Sequence, residues 1–253
     1  MELHFEASGN GEPLIVLHGL FGSLDNWRSI SARLSAQFTV FALDQRNHGG
    51  SAHAEEMDYS LMAQDVVEFL EKRGLSQTNV LGHSMGGKTA MQLALSHPNR
   101  VSKLIVADIA PRTYPAWHEK MITGMLQLNL DHFDGRAQLE AALAPAVPDL
   151  PTRRFLLKNV VRKPGNGFCW RLGLKQIQSN YSRLTEAVLA GEPFQKHALF
   201  IRGANSDYVL ESDFPEIRRL FPQAEIRTLP DAGHLLHIQS PQPFLQLVTD
   251  FLN

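Results

Sequence analysis

Cysteine is nearly absent from the sequence. Cys169 is the only one among 253 residues, so the chain forms no internal disulfide and its fold does not require an oxidising compartment. The apolar neighbours Phe168 and Trp170 predict that this thiol is buried and unreactive.

The sequence also lacks a charge excess and a long hydrophobic run. Its 24 Lys and Arg residues nearly balance 26 Asp and Glu residues, which gives a formal net charge of −2. This balance argues against a nucleic-acid partner and against a polybasic membrane anchor. No window approaches the roughly 20 apolar residues that span a bilayer, and residues 1–6 do not begin a basic and apolar leader. We therefore expect a soluble, cytoplasmic protein without a membrane partner.

Metal-ligand spacing is missing as well. No cluster of Cys, His and carboxylate residues in the sequence repeats the short intervals of a zinc site or another metal site. We therefore expect no metal and no other cofactor.

Short apolar runs alternate with helical patterns along most of the chain. Six such runs are present, at residues 14–17, 38–43, 80–81, 104–107, 199–201 and 226–229. Continuous apolar runs of this kind are typical of strands in parallel sheets that are covered on both faces. Because the length fits one large domain, the alternation predicts the α/β class, with a doubly wound, mostly parallel sheet.

Residues 111–192 interrupt this alternation of apolar runs and helical patterns. They contain helical patterns, several prolines and two of the three tryptophans, but no clear strand. We interpret them as a helical cap inserted between two strands of a core that consists of residues 1–110 and 193–253. Trp117 and Trp170 are expected in the interior of this cap or on the wall of a substrate pocket.

A glycine-flanked serine follows the third apolar run. Residues 82–86 read Gly-His-Ser-Met-Gly and match the G-x-S-x-G motif, in which the serine occupies a strained turn between a strand and a helix. The turn exposes the hydroxyl and points the next backbone N–H, together with the helix N-terminus, toward a developing oxyanion. Ser84 is therefore the candidate nucleophile, and the Met85 N–H is a candidate oxyanion donor.

The same stretch satisfies a second motif. Residues 82–89 also fit G-x-x-x-x-G-K-[ST], the phosphate-binding P-loop, and residues 104–108 resemble the apolar strand and aspartate that hold magnesium in such proteins. Both motifs predict a strand, a turn and a helix, so only distant residues separate them. A His-Gly turn at His18 and a histidine in a late loop are features that a serine hydrolase needs and a P-loop protein does not.

That late histidine is His234, which lies between the last apolar run and the final helical pattern. There it can reach the Ser84 hydroxyl and act as its base. The glycine-rich turn after His18 lets a second backbone N–H face the same pocket, and we expect Leu20 to supply it. We expect His18 itself to brace its loop by hydrogen bonds.

The acid that orients the histidine has two candidates. Asp108 ends the fourth apolar run, and Asp207 follows the fifth. The second location usually carries the pattern G-x-x-D-x-x-V, but in that register the acid position is Ser206, and Asp207 comes one residue late. A shift of one residue on a turn redirects the side chain. The spacing favours Asp108 and keeps Asp207 as the alternative.

Several segments together make the sequence similar to a known family. The chain resembles the α/β-hydrolases, and within them the YbfF-like esterase group, which is also similar to abhydrolase domain-containing protein 11. The matching segments are residues 18–26 (HGLFGSLDN), 46–49 (RNHG), 82–88 (GHSMGGK), 108–111 (DIAP), 203–206 (GANS) and 232–234 (AGH). The resemblance implies esterase action on small acyl esters, with acyl thioesters as a further class. It also implies a helical cap over the site and the aspartate of the DIAP segment as the triad acid.

We therefore expect a serine esterase that hydrolyses short- to medium-chain carboxylic esters through an acyl-enzyme. Its catalytic residues are Ser84, Asp108 and His234, with the Leu20 and Met85 N–H groups as the oxyanion hole. The alternatives are an acyl-CoA thioesterase or a C–C bond hydrolase on the same fold, a non-enzymatic receptor, and the P-loop protein. Five basic residues of the predicted cap form either a solvated face or an anchor for coenzyme A phosphates; this basic cluster comprises Arg153, Arg154, Lys158, Arg162 and Lys163.

Overall fold

The computed structural model of the chain describes residues 1–164, 167–189 and 191–253. Residues 165, 166 and 190, which belong to the predicted cap, lie outside the described residues. Within the described ranges, no helix is both long enough and apolar enough to cross a membrane.

A seven-stranded sheet forms the centre of the fold. Its strands are β1 (Phe5–Ser8), β2 (Glu12–Leu17), β3 (Phe38–Leu43), β4 (Thr78–His83), β5 (Val101–Ala107), β8 (Ala198–Gly203) and β9 (Ala224–Leu229). Their order across the sheet is β1-β3-β2-β4-β5-β8-β9, and only β1 pairs antiparallel with its neighbour. The predicted mostly parallel sheet is therefore confirmed. Sequence reasoning missed β1, because this edge strand is largely exposed and carries no apolar run.

Helices cover both faces of this sheet. One face carries α2 (Tyr59–Lys72), α3 (Met85–Ser96) and α8 (Phe214–Leu220). The other carries α1 (Arg28–Leu34), the short α9 (Leu236–Gln239) and α10 (Pro241–Leu252). Along β2, Ile15 and Leu17 pack into the first layer, whereas Leu14 and Val16 pack into the second. Successive strand side chains point to opposite faces, so an unbroken apolar run is what a strand covered on both sides requires.

The described residues between β5 and β8 form four α-helices, a short 3-10 helix (Leu130–His132) and a small hairpin. The helices are α4 (Glu119–Gln127), α5 (Arg136–Leu143), α6 (Leu150–Leu157) and α7 (Leu174–Thr185), and the hairpin pairs β6 (Val160–Arg162) with β7 (Phe168–Trp170). The expectation of no strand in this segment is wrong, because strands of three residues are too short to show an alternating pattern. Cys169 lies on β7 and is half-buried, so the expectation of a buried thiol is wrong as well.

The inserted segment packs directly on the sheet domain. Its apolar side chains, among them Ile122, Leu156 and Ile177, share one buried cluster with Phe21 and Met85. Phe21 lies in the loop after β2 and Met85 begins α3, both at the carboxyl ends of the strands. Ligands of open parallel sheets bind at this edge. The insertion therefore covers the region where the predicted site residues lie.

Candidate active site

Ser84 sits on the turn that joins β4 to α3. Its backbone has φ 52° and ψ −118°, a conformation that L side chains rarely adopt. The turn is too tight for side chains on either flank: a Cβ on Gly82 would lie 2.1 Å from the Gly86 carbonyl oxygen, and one on Gly86 would lie 2.4 Å from the Leu17 carbonyl oxygen. This steric restriction is the reason for both glycines of the motif.

The structure brings the three predicted side chains into one line of hydrogen bonds. His234 Nε2 lies 3.0 Å from Ser84 Oγ, and His234 Nδ1 lies 2.9 Å from Asp108 Oδ2. A carboxylate oxygen accepts hydrogen bonds and has no hydrogen to donate, so His234 Nδ1–H donates to Asp108 and Nε2 offers its lone pair to the serine hydroxyl. This is the proton arrangement that a general base for Ser84 needs.

Asp108 is fixed by its surroundings. Its side chain is 0% exposed, and its backbone has a positive φ of 51° just after β5. Oδ1 accepts the Gly203 N–H at 2.9 Å, and Oδ2 also accepts the Ser206 hydroxyl. With these donors in addition to His234, both oxygens of the buried carboxylate accept hydrogen bonds and the side chain is held in one orientation. Sequence reasoning did not identify Ser206 as a partner of Asp108.

The alternative acid, Asp207, points elsewhere. It is exposed, and its backbone carbonyl accepts from Arg112 at 3.3 Å. Its carboxylate accepts no hydrogen bond within the part of the chain that the structure describes. The residue after it contacts the site: the Tyr208 ring stacks on His234 with centroids 3.7 Å apart. Thus Ser206 and Tyr208 contact the site, whereas the Asp207 carboxylate faces solvent.

The two predicted oxyanion donors border the same space. Leu20 follows β2, and Met85 is the first residue of α3. Neither backbone N–H has an acceptor among the described residues, whereas the neighbouring Phe21 N–H donates to His48 Nε2 at 3.2 Å. The arrangement leaves two N–H groups able to bind an oxygen that develops negative charge next to Ser84.

His18 braces the loop that carries Leu20. Its Nε2 accepts the Gln45 N–H at 3.0 Å, so its proton sits on Nδ1 and is donated to the Gly19 carbonyl at 2.8 Å. Burial lowers the pKa of His18 to about 4, which keeps the ring neutral. The expected bracing role fits these contacts.

Lys88 and Thr89, the residues that suggested a P-loop, make contacts within the protein that a P-loop would not leave them free to make. Lys88 is 1% exposed and donates to the Glu186 carbonyl, and the Thr89 hydroxyl donates to the Met85 carbonyl at 3.1 Å. A P-loop protein needs both side chains at the phosphates and the magnesium ion. The structure therefore does not support the phosphate-binding interpretation.

A cavity of about 550 Å³ opens beside Ser84 and His234. Its volume lies within the range of small-molecule sites. Its apolar wall comes from both the sheet domain and the insertion, with contributions from Leu20, Phe21, Trp27, Met121, Phe155 and Ile238. The site can therefore hold an apolar group of moderate size next to the serine.

The basic cluster of the insertion is largely paired within its own surroundings. Arg154 forms an ion pair with Glu140 at 3.1 Å, and Lys163 pairs with Asp131 at 2.6 Å. Arg153 donates to two backbone carbonyls of the preceding loop. These contacts favour a solvated, locally paired face over a phosphate anchor.

Trp117, expected inside the cap or on a pocket wall, is 49% exposed and packs edge-on against Tyr208, with ring centroids 5.3 Å apart. It lines a second, smaller cavity that also borders Ser84. Trp170 is half-buried on the hairpin. Of the two tryptophans, Trp117 is thus the one at a pocket wall.

His237 is a buried histidine that takes no part in the hydrogen bonds between Ser84, His234 and Asp108. Its ring stacks on Trp27 with centroids 4.3 Å apart, and its Nδ1 has no partner among the described residues. Burial, and then the charge of His234, lower the pKa of His237 to about 3, below the value of about 6.5 expected in the unfolded chain. Unfolding below pH 6.5 therefore takes up a proton at this residue.

We expect His237→Phe to flatten the pH dependence of stability. In the wild type this residue contributes stability that is present above about pH 6.5 and is lost as the pH falls toward 3. The free energy of unfolding, measured with urea at pH 7, 6, 5 and 4.5, should depend less steeply on pH in the variant than in the wild type. The difference in slope should reach up to about 1.4 kcal/mol per pH unit. His237→Gln, which packs differently but also does not titrate, should show the same change in slope. Slopes identical to the wild type in both variants would contradict the assignment.

Comparison with known proteins gives consistent matches over nearly the whole chain. The sequence profile described as alpha/beta hydrolase fold matches residues 12–241. The sn-1-specific diacylglycerol lipase ABHD11 of Mus musculus is 41% identical over 248 residues, which cover 94% of this chain and 80% of that protein. Esterase YbfF of Escherichia coli (strain K12) is 32% identical over 247 residues, 96% of this chain and 94% of that protein. A solved structure described as a marine microorganism esterase superimposes with a TM-score of 0.96 at 42% identity, over 99% of both chains.

Proposed function

Because the chain belongs to the α/β-hydrolase family, in the group of YbfF and ABHD11, we propose that it is a serine esterase with a Ser84–His234–Asp108 triad. The chain is a hydrolase, and its relatives are named esterases and lipases. The observation that carries the proposal is the pair of hydrogen bonds that His234 makes, at 3.0 Å to Ser84 Oγ and 2.9 Å to Asp108 Oδ2.

The proposed reaction begins when Ser84 Oγ attacks the ester carbonyl while His234 Nε2 accepts the hydroxyl proton. The carbonyl oxygen becomes an oxyanion that accepts hydrogen bonds from the Leu20 and Met85 N–H groups. The Asp108 carboxylate, which accepts the Nδ1–H, stabilises the imidazolium. His234 then donates its proton to the departing alcohol, which leaves an acyl-enzyme on Ser84, and water repeats the sequence to release the acid.

In this proposal residues 111–192 act as a cap over a core of residues 1–110 and 193–253. The cavity of about 550 Å³ has one wall from the sheet domain and one from the cap, and its volume supports a short- to medium-chain ester. Such a cavity lies in the range of small-ligand sites. The proposed substrate is a small-molecule ester, and neither a cofactor nor a metal takes part in the steps above.

A labelling experiment tests this proposal. We expect the wild type to react stoichiometrically with a fluorophosphonate probe at Ser84, located by peptide mass spectrometry, and to release p-nitrophenol from its butyrate ester. Butyryl thioesters and a C–C bond substrate, assayed in parallel, separate esterase from thioesterase and C–C hydrolase activity. A folded protein that stays unlabelled and inactive toward all three substrate classes would instead favour a non-enzymatic receptor.

A further inference from the structure

Lys88 places a buried ammonium group one helical turn beyond the nucleophile. Its backbone N–H donates to the Ser84 carbonyl at 3.0 Å, and its side chain is only 1% exposed. Nζ donates to the Glu186 carbonyl and faces the rings of Tyr59 and Tyr114, whose centroids lie 5.3 and 4.9 Å away. No carboxylate of the described residues forms an ion pair with it. An ammonium has three hydrogens to donate, and only one of them has a described acceptor.

Lys88 lines the smaller of two cavities that meet at Ser84. This second cavity has a volume of about 50 Å³ and also borders Leu20 and Met85, the proposed oxyanion donors. By the same measure a single water needs about 10–15 Å³, so the cavity holds a group of about three to five non-hydrogen atoms. The carboxyethyl group of a succinyl ester, with about five, has that size.

The two cavities differ in their access to the base. His234 lines the larger cavity but not the smaller one. The departing alcohol must lie beside His234 to receive its proton, so the leaving group belongs in the larger cavity. The acyl group then points into the smaller cavity, toward Lys88.

We propose that Lys88 binds the terminal carboxylate of the acyl group, so that the preferred substrates are monoesters of short dicarboxylic acids, such as succinate. This inference rests on the proposed esterase function. A buried cation that has one neutral acceptor and two aromatic rings around it has lost its hydration without gaining a counter-ion, and a carboxylate in the cavity supplies that counter-ion. If the hydrogen bond from Lys88 to Glu186 served only to stabilise the fold, replacing Lys88 would change kcat/KM for all esters alike.

A matched pair of substrates tests the proposal. p-Nitrophenyl hemisuccinate and p-nitrophenyl 4-methylpentanoate have acyl groups of nearly the same shape, but only the first carries a carboxylate. In Lys88→Met the ratio of their kcat/KM values, hemisuccinate over methylpentanoate, should fall at least tenfold relative to the wild type, mainly through KM. The spontaneous hydrolysis of the hemisuccinate is measured without enzyme and subtracted.

Lys103→Met is the matched control, because Lys103 also donates to backbone carbonyls, those of Phe251 and Leu252, far from either cavity. It should leave the ratio within twofold of the wild type. Equal losses on both esters in Lys88→Met, or an unchanged ratio, would overturn the carboxylate site while leaving the esterase proposal intact. A wild type that hydrolyses neither ester would instead contradict the esterase proposal.

The wild type provides a test that does not depend on the folding of a variant. Burial lowers the pKa of Lys88 to about 7; the titratable groups around it are Tyr59 of α2, Arg112 and Tyr114 after β5, and Glu186 after α7. The ammonium form prevails below this pH, so the kcat/KM ratio should fall as the pH rises from 6 to 9. The contribution of His234 cancels in the ratio. A ratio that stays constant over this range would contradict the proposal.

Discussion

Replacing Asp108 with asparagine should lower kcat for a p-nitrophenyl ester about 10⁴-fold, whereas Asp207→Asn should change it less than twofold. The carboxylate of Asp108 lies 2.9 Å from His234 Nδ1 and fixes the tautomer in which Nε2 can accept the serine proton. An asparagine amide can turn its NH₂ group toward Nδ1 and favour the opposite tautomer, which carries the proton on Nε2 and cannot act as a base.

The measurement is steady-state hydrolysis by the two variants alongside the wild type, with thermal unfolding as a check of folding. Asp108 also accepts the Gly203 N–H, so Asp108→Asn will lose some stability as well. Fluorophosphonate labelling should slow in proportion to kcat in Asp108→Asn and remain fast in Asp207→Asn. The reverse outcome, with Asp207→Asn inactive and Asp108→Asn active, would assign the acid to Asp207.

The local geometry explains why the sequence left two acids open. The register of G-x-x-D-x-x-V places Ser206, not Asp207, at the acid position, and Ser206 donates to Asp108. The Ser206 hydroxyl thus lies where the pattern has a carboxylate, and it donates a hydrogen bond to the carboxylate of Asp108, which follows the neighbouring strand β5. The sequence did not predict that contact, because the register identifies Ser206 only as a missing carboxylate and gives it no partner.

The fold was predictable where periodicity is strong and was missed where elements are short or exposed. β2 and β5 have continuous apolar runs because they are covered on both faces, so the sequence predicts them directly. The exposed edge strand β1 and the hairpin of β6 and β7 have too few buried residues to give a pattern. For the same reason the sequence predicts an insertion at residues 111–192 but not its internal structure.

The candidate site was predictable in its motifs but not in its side-chain environment. Gly82 and Gly86 reveal the tight turn at Ser84 from sequence alone, since only glycine fits there. The position of the Lys88 side chain could not be predicted, because residues 82–89 also fit the motif of a phosphate-binding loop. Its burial against the tyrosines of two separate segments follows from tertiary packing alone.

The strained turn leads to a second expected result with a large effect. Ser84→Ala and Ser84→Gly should both lower kcat about 10⁶-fold, because the nucleophile is gone. Only the glycine variant should be more stable than the wild type. A side chain in such a backbone conformation costs on the order of 1–3 kcal/mol, and alanine retains this strain. Glycine removes it, but its greater freedom in the unfolded chain offsets about 0.5–1 kcal/mol.

We therefore expect Ser84→Gly to exceed Ser84→Ala by about 1 kcal/mol in the free energy of unfolding, or about 2–4 °C in Tm for a chain of this size. The alanine variant is the matched control, since both variants lose the Ser84 Oγ contact to His234 at 3.0 Å. Equal stability of the two variants would mean that the strain of the turn does not exceed the cost of the freedom of glycine in the unfolded chain, about 0.5–1 kcal/mol. A stability gain confined to glycine would mean that the protein gives up stability to expose the hydroxyl of Ser84 toward His234, which is what a nucleophile on this turn requires.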